Sequence, residues 1–392
     1  MILFQQPGRM SWQRFPNVRG VGQRIAMLSM CTVLCACSAA PGMRMRQPAT
    51  IPLEGGSTPK EDTRLDVPIT DINLALIARM REGARASRKD WSDLMVAPAA
   101  YSVGPGDVLQ ITVWDHPELA AALGPQSQAG TTRTADAPAG FIVDQDGTLQ
   151  FPFVGRIHVA GLQTEKIQAL LQKTLGRTFQ APQVTVRIAS FRAKQVFIEG
   201  EVHAPGTQSI NDIPMTLYDA ISRAGGFATT ADQSRITLVR NGVQHEIDLT
   251  DMAERGQSPS RIVLQNGDLL RISARDENGV FVMGEVNKPV TALPMRSGKL
   301  TLSDALSQAG SLSSTSADAA QLYVIRGNES AAPHVFHLDA SSPVAMVLAN
   351  QFDLRPKDVV YVDGNGLVRF SRVLSLLLPA INAGLTTAIV TK

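Results

Sequence analysis

Val196-Phe-Ile-Glu-Gly-Glu-Val-His-Ala-Pro205 and Val280-Phe-Val-Met-Gly-Glu-Val-Asn-Lys-Pro289 are two versions of one phrase, and the agreement continues downstream. Thr216-Leu-Tyr-Asp-Ala-Ile221 matches Thr301-Leu-Ser-Asp-Ala-Leu306, and Ala224-Gly225 matches Ala309-Gly310. Leu238-Val-Arg240 matches Val324-Ile-Arg326, and Leu264 and Asp268 match Leu354 and Asp358. The offset grows from 84 residues (Val196 to Val280) to 90 (Asp268 to Asp358), as loop insertions would make it. Ordered matches at a drifting offset mark an internal duplication. Each copy reads as strand, Gly-Glu turn, strand, capped helix ending at Gly, strand, Asp-bearing turn, strand. That is a small α+β module with a helix on a mixed sheet. Two copies are too few for a solenoid, so two tandem modules are expected, at 191–275 and 276–363.

Upstream, residues 98–190 read as another α/β unit. Tyr101-Ser-Val-Gly-Pro-Gly-Asp-Val-Leu-Gln-Ile-Thr-Val113 is a turn followed by an alternating strand. Phe141-Ile-Val-Asp-Gln-Asp-Gly-Thr-Leu-Gln-Phe-Pro-Phe153 reads as a hairpin about Asp146-Gly147. Thr164–Leu175 is a predicted helix, capped by Thr164, with Ile167, Leu170, Leu171 and Leu175 on its apolar face. Val184-Thr-Val-Arg-Ile188 closes the unit as a strand. Residues 37–97 open with Pro41, Pro48, Pro52, Gly55, Gly56 and Pro59, which suits a tether. One amphipathic segment follows, with Ile72, Leu76, Ile77 and Met80 at helical spacing, Asp71 as its expected cap and Trp91 and Leu94 near its end.

The two ends carry membrane signals. Arg9, Arg14, Arg19 and Arg24 precede the apolar run Ile25–Leu34, and Leu34-Cys35-Ala36-Cys37 follows as a lipobox. Cleavage before Cys37 would remove a signal at 1–36 and leave that thiol for lipid attachment. Met10 is an alternative start. Ser38, rather than the Asp that commonly retains bacterial lipoproteins at the inner membrane, favours the outer membrane. All three cysteines, Cys31, Cys35 and Cys37, lie in this segment, so the mature chain has no partner for a disulfide. Removing four arginines and no acid leaves 33 basic against 35 acidic residues, a balance of −2 in place of +2, and nothing points to nucleic acid.

At the other end, within 364–392, Leu367–Val390 holds only two charges, Arg369 and Arg372. At 100° per residue Leu367, Phe370, Leu374, Leu377, Leu378, Ile381, Leu385, Ala388 and Ile389 share one arc, the expected lipid-facing side. Arg369, Arg372, Ser375, Asn382, Thr386 and Thr387 share the other, the expected water-lined side. A helix of this span is roughly 36 Å long, enough for a hydrocarbon layer of roughly 30 Å. Pro379 should bend it, and Asp363 or Asn365 could cap its start. Polar groups on a lone helix are costly in lipid but tolerable if several copies close around water. No series of roughly ten-residue alternating strands supports an outer-membrane β-barrel.

No catalytic constellation is present. Gly298-Lys299 is followed by Leu300 and lacks the upstream glycine of a phosphate loop, since Leu293 stands there. Gly104-Pro105-Gly106-Asp107 reads as a turn. His334 and His337 would point to opposite faces of a strand, which disfavours a metal. Trp114-Asp115-His116 reads as a turn packed by Trp114, Asp144 and Asp146 as turn residues, and Asp251 to Arg255 as a solvated helix face. The expectation is a protein that is not an enzyme and uses no cofactor or metal.

Tyr101-Ser-Val-Gly-Pro-Gly-Asp-Val-Leu109, Val113-Trp-Asp-His-Pro-Glu-Leu119 and Phe151-Pro-Phe-Val-Gly155 resemble the polysaccharide export domain of Wza-type outer-membrane export lipoproteins. The duplicated Val-Phe-x-x-Gly-Glu-Val units resemble that family's two β-grasp SLBB modules, and the amphipathic C-terminus resembles its membrane helix. The resemblance implies lipid on Cys37 and a homo-oligomer, an octameric ring whose terminal helices form an α-helical barrel in the outer membrane. It implies a large periplasmic portion, an exported capsular polysaccharide or exopolysaccharide, and an inner-membrane co-polymerase associated with a tyrosine kinase as partner. The terminal helix departs from the pattern in lacking Trp or Tyr and in carrying Pro379. Two rival readings stand beside this one: a periplasmic lipoprotein whose β-grasp repeats bind glycan without a pore, its terminal helix docked on its own body, and a glycan-directed enzyme. The missing acid–base pair weighs against the enzyme.

Overall fold

The structure, a computed structural model, describes residues 42–45, 47–52, 64–116, 119, 140–328, 331–372 and 375. The N-terminal part is not only a tether. Strand β1 (Ala49–Pro52) pairs antiparallel with β2 (Arg64–Val67). Strand β3 (Ile69–Asp71) and helix α1 (Leu74–Ala86) follow. The helix is capped by Asn73, whose Oδ1 accepts from Leu76 N at 2.9 Å. Asp71, expected in that role, ends β3 instead, and its carboxylate meets His337 Nδ1 at 2.7 Å. Ile72, Leu76 and Ile77 are buried in the core of the second module. The helix stops at Ala86, short of Trp91 and Leu94, which enter the core of the first module. Residues 64–97 therefore form a strap across both modules.

The export unit contains β4 (Val108–Val113), β5 (Phe141–Ile142), β6 (Thr148–Phe151), β7 (Gly155–His158), α2 (Thr164–Leu175) and β8 (Val184–Ser190). Its strands form a sheet of order β5-β4-β8 and a β6-β7 pair. The Asp146-Gly147 turn is present, with Gly147 N donating to Asp144 O at 2.9 Å. It joins the two sheets rather than closing the expected hairpin, because β5 pairs with β4. Ile167, Leu171 and Leu175 are fully buried, but Gln163 occupies the cap position and Thr164 is the first helical residue. Trp114 does not pack its turn: it is 60% exposed, its indole donates to Thr185, and His116 stacks on Phe179 instead. The Gly104–Asp107 turn is tied by buried Asp107, which accepts from Gly104 N, Tyr101 Oη, Arg192 N and Ala193 N at 2.8–3.0 Å. This one carboxylate joins the unit's first turn to the strand link leading into the first module. Burial, with the adjacent carboxylate, pushes the Tyr101 hydroxyl well above its ordinary pKa, so it stays a donor.

The first module comprises β9 (Gln195–Gly200), β10 (Gly206–Ser209), α3 (Leu217–Arg223), β11 (Ala231–Arg240), β12 (Val243–Ile247), α4 (Leu249–Glu254) and β13 (Leu269–Ala274). The second comprises β14 (Val280–Gly284), β15 (Val290–Ala292), α5 (Leu302–Gln308), β16 (Ala317–Asn328), β17 (Ala331–Leu338), α6 (Met346–Gln351) and β18 (Val359–Gly364). Their sheets have orders β10-β9-β13-β11-β12 and β15-β14-β18-β16-β17-β3. The order is the same in both, with a matching parallel pair in each (β9 with β13, β14 with β18), and the second gains β3, which pairs parallel with β17. Helices α3 and α5 start with the same capping box, Thr216 with Asp219 and Thr301 with Asp304. The α4 face expected to be solvated is engaged: Asp251 pairs with Arg88 and Arg255, and Arg255 stacks 5.1 Å from the Trp91 ring.

The repeated arginines and aspartates meet. Arg240 Nη2 lies 2.6 Å from Asp268 Oδ2, and Arg326 Nη2 lies 2.7 Å from Asp358 Oδ2. Each guanidinium also donates to a backbone carbonyl, of Val263 or Asp353, and each carboxylate also accepts a backbone N–H, of Gln265 or Arg355. Both carboxylates are 2% exposed. Removing one partner strands a buried charge, which costs about 3–5 kcal/mol. Asp268→Ala should lower the unfolding free energy by about that amount in urea titration. A loss below about 1 kcal/mol, the range of a surface pair, would show that solvent reaches Arg240.

Candidate functional site

The site is the end of the second module where residues 42–43 and 365–372 converge. Strand β18 runs out through Asp363 and Gly364, and Asn365 begins a helical stretch at 366–372. Asn365 Oδ1 accepts from Val368 N at 2.9 Å, while its own backbone N–H donates to Ser316 O. Asn365 is thus the cap. Asp363, the other candidate, is buried, accepts from Gly364 N at 2.8 Å and pairs with Arg369 at 3.0 Å. Arg372 pairs with Glu285, the glutamate of the repeated Gly-Glu turn. Burial pushes the Glu285 carboxyl up, but hydrogen bonds from Ser316 and Arg372 outweigh it, so its pKa lies below the ordinary carboxylate value. Two arginines on one helical face are held by two carboxylates of the module.

The N-terminal residues arrive at the same place. A Cβ on Gly42 would stand 3.3 Å from Arg372 Nη1, and Tyr361 Oη donates to Met43 O. Burial, with Asp363 nearby, pushes the Tyr361 hydroxyl up to about 12. Leu367 is 81% and Phe370 41% exposed, so the apolar arc starts uncovered by the protein's own body. Ser375 Oγ donates to Arg372 O at 2.9 Å. Cys37, Leu374, Leu377, Leu378, Ile381, Asn382, Leu385 and Thr386 lie outside the described residues. Among the described residues no helix is long and apolar enough to cross a membrane. His334 and His337 do not converge: His334 bonds Thr70, while His337 bonds Asp71 and Ala320 O.

Sequence reasoning did not foresee Glu285 and Asp363 as partners of the helix. A signal was present. The two repeats share the Gly-Glu turn, yet only the second is followed by a helix with two arginines. In the first, Glu201 bonds Thr230 instead.

Residues 95–189 match the family described as polysaccharide biosynthesis/export protein, and residues 194–272 and 278–362 each match the SLBB domain. The chain is 41% identical over 385 residues to the EPS I polysaccharide export outer membrane protein EpsA of Ralstonia nicotianae, covering 96% of this chain and 99% of that protein. The chain belongs to the polysaccharide biosynthesis/export family. Similarity extends to the capsule polysaccharide export protein BexD of Haemophilus influenzae, at 26% identity over 88% of this chain and 92% of BexD. It extends also to the capsule polysaccharide export outer membrane protein CtrA of Neisseria meningitidis, at 23% identity over 89% of this chain and 93% of CtrA. The family resemblance read from the motifs therefore holds.

Proposed function

We propose that this export-family protein is a subunit of an outer-membrane translocon. Copies oligomerise, and polysaccharide passes through the assembly from periplasm to cell surface. Polysaccharide, outer-membrane lipid and an inner-membrane co-polymerase are its partners, and it turns over no substrate of its own. The observation that carries this reading is the convergence at Arg372. Four residues separate Cys37 from Gly42, and the five steps between them reach at most roughly 18 Å. A lipid on Cys37 and a helix leaving Arg372 would thus enter the same bilayer beside each other.

The ion pairs also support a membrane run that starts after Arg372. Arg369 and Arg372 are spent on the module, so they form the mouth rather than the middle of the polar stripe. From 373 to 390 there is no charge, and 18 helical residues span roughly 27 Å. That suits a bacterial outer membrane, which is thinner than the average bilayer. Ser375, Asn382 and Thr386 continue the stripe toward a water-filled lumen, with Leu374, Leu377, Leu378, Ile381 and Leu385 toward lipid. The exposure of Leu367 and Phe370 counts against the rival in which this helix docks on its own module.

Cys37→Ser tests the anchor. The variant should lose acylation and leave the outer-membrane fraction or stay unprocessed, measured by lipid labelling and fractionation. Cys31→Ser should change nothing, because that residue departs with the signal. Unchanged mobility and fractionation of Cys37→Ser would remove the lipoprotein reading. Electron microscopy of detergent-extracted particles tests the ring: monomers alone would count against the translocon.

A further inference from the structure

A cleft of about 720 Å³ lies between the two β-grasp modules. Three regions of the chain line it: α1 with the strap after it; Ser234 and Arg235 of β11 with the β12–α4 region of the first module; and the Ser297–Lys299 turn with Asp353 of the second. The cleft is built into the fold. Gln233 N donates to Arg296 O at 2.9 Å across the modules, and Asn278 Nδ2 donates to buried Asp232 at 3.0 Å. A Cβ on Gly298 would fall 1.9 Å from Ser234 Oγ, so the modules meet there through bare backbone.

Its charges do not cancel locally. Arg88, Lys89 and Lys299 are taken up by Asp251, Glu246 and Glu254. Asp248 is occupied as the cap of α4, accepting from Thr250 N and Asp251 N at 2.8 and 3.0 Å. Burial raises its pKa. Among the described residues Arg85 has no carboxylate partner, Arg235 makes no direct ion pair although its charge helps lower the Glu246 pKa, and Arg81 reaches only Gln351 O, at 3.5 Å. Arg81 and Arg85 stand four residues apart, on one face of α1. The remaining acid in the lining is Asp353, and Arg85 and Arg235 are both exposed, leaving their guanidinium groups open to a ligand.

We propose that this cleft binds a carboxylated sugar residue, with Arg85 and Arg235 as its anchors. Guanidinium groups offer forked donors that match a carboxylate, and ligand sites commonly fall in clefts of about 300–1,000 Å³. One or two pyranose rings fit that space. The choice of a sugar rests on the polysaccharide-export reading; the choice of an anion rests on the arginines. Because all three walls belong to different parts of the chain, occupancy would set the angle between the modules.

The test uses the full chain in detergent and isothermal titration calorimetry with a galacturonic acid hexamer. Saturable binding is expected, weakened at least about tenfold in Arg85→Ala/Arg235→Ala and absent with neutral maltohexaose. Neither arginine holds another side chain, so the double variant should melt with the wild type, which a thermal scan checks. No binding of the acidic hexamer, or equal binding by the double variant, would overturn the proposal. Equal affinity for inorganic phosphate would reduce the cleft to a general anion site and overturn the sugar assignment. Particle assembly is scored on the same samples. Rings without binding would sink the cleft alone, while a failure of the wild type to form rings would count against the export reading.

Discussion

Gly284→Val should abolish the native fold of the second module. Gly284 has φ of +93°, and a Cβ placed on it would lie 2.1 Å from Val362 O and 3.0 Å from Val362 C and N. The obstruction is the backbone of the neighbouring parallel strand, where Gly284 and Val362 are partners, so no side chain can swing aside. The left-handed conformation adds about 1–3 kcal/mol for a β-branched residue. The combined loss should exceed about 4 kcal/mol, which few point mutations reach. Displacing β14 also displaces Glu285, and with it the partner of Arg372. Gly200→Val should act alike on the first module, where the Cβ would lie 2.0 Å from Ile272 O. Gly242→Ala is the control: its φ is +79° but nothing lies within 4 Å, so only the conformational cost of about 1–2 kcal/mol applies. Thermal melts and limited proteolysis separate these cases. A Gly284→Val protein that melts with the wild type would show that β14 and β18 can part without cost.

The duplicated modules were legible because each repeat carries its own instructions in the right order. The capping threonines, the turn glycines and the Arg–Asp pairs appear twice and serve the same purpose in both copies, while the matched Glu201 and Glu285 take different partners. The strap was not legible for a physical reason. Strand β3 is three residues long, too short for a period-2 pattern, and its partners Val335–His337 lie far along the chain: Thr70 bonds a residue 264 positions away. Proline and glycine upstream correctly mark irregular chain but say nothing about where β1, β2 and β3 dock. The misplaced caps have a simpler cause. Asp71 and Asn73 are both competent caps two residues apart, and Asp71 was claimed by β3 and His337. The same limit applies to the site. The apolar and polar arcs of the terminal helix are local properties and can be read from spacing. The Arg372–Glu285 pair joins residues 87 positions apart and required the fold. It matters because it converts a charged residue at the edge of an apolar run from a membrane liability into a fixed root.

That root makes the terminal helix a strict test of the translocon reading. Arg372 is held by Glu285, and in the proposed translocon the helix continues from there at 100° per residue. In that arrangement Ile381 and Thr386 would lie about 140° apart, one toward lipid and one toward the lumen. A carboxylate at Ile381 would face hydrocarbon, at a cost of about 2.5–3.5 kcal/mol per helix on insertion scales. A ring repeats that cost in every subunit, so Ile381→Asp should stop insertion and abolish surface polysaccharide. Thr386→Asp places the same charge in water and should assemble, altering transport rather than assembly. Cysteine substitutions read the same geometry directly. A cysteine at Thr386 should react with a membrane-impermeant thiol reagent applied outside the cell, and one at Leu374 should not. Export that survives Ile381→Asp, or equal labelling of the two cysteines, would mean that the helix does not line a pore. The exposed Leu367 and Phe370 would then need another surface to cover them.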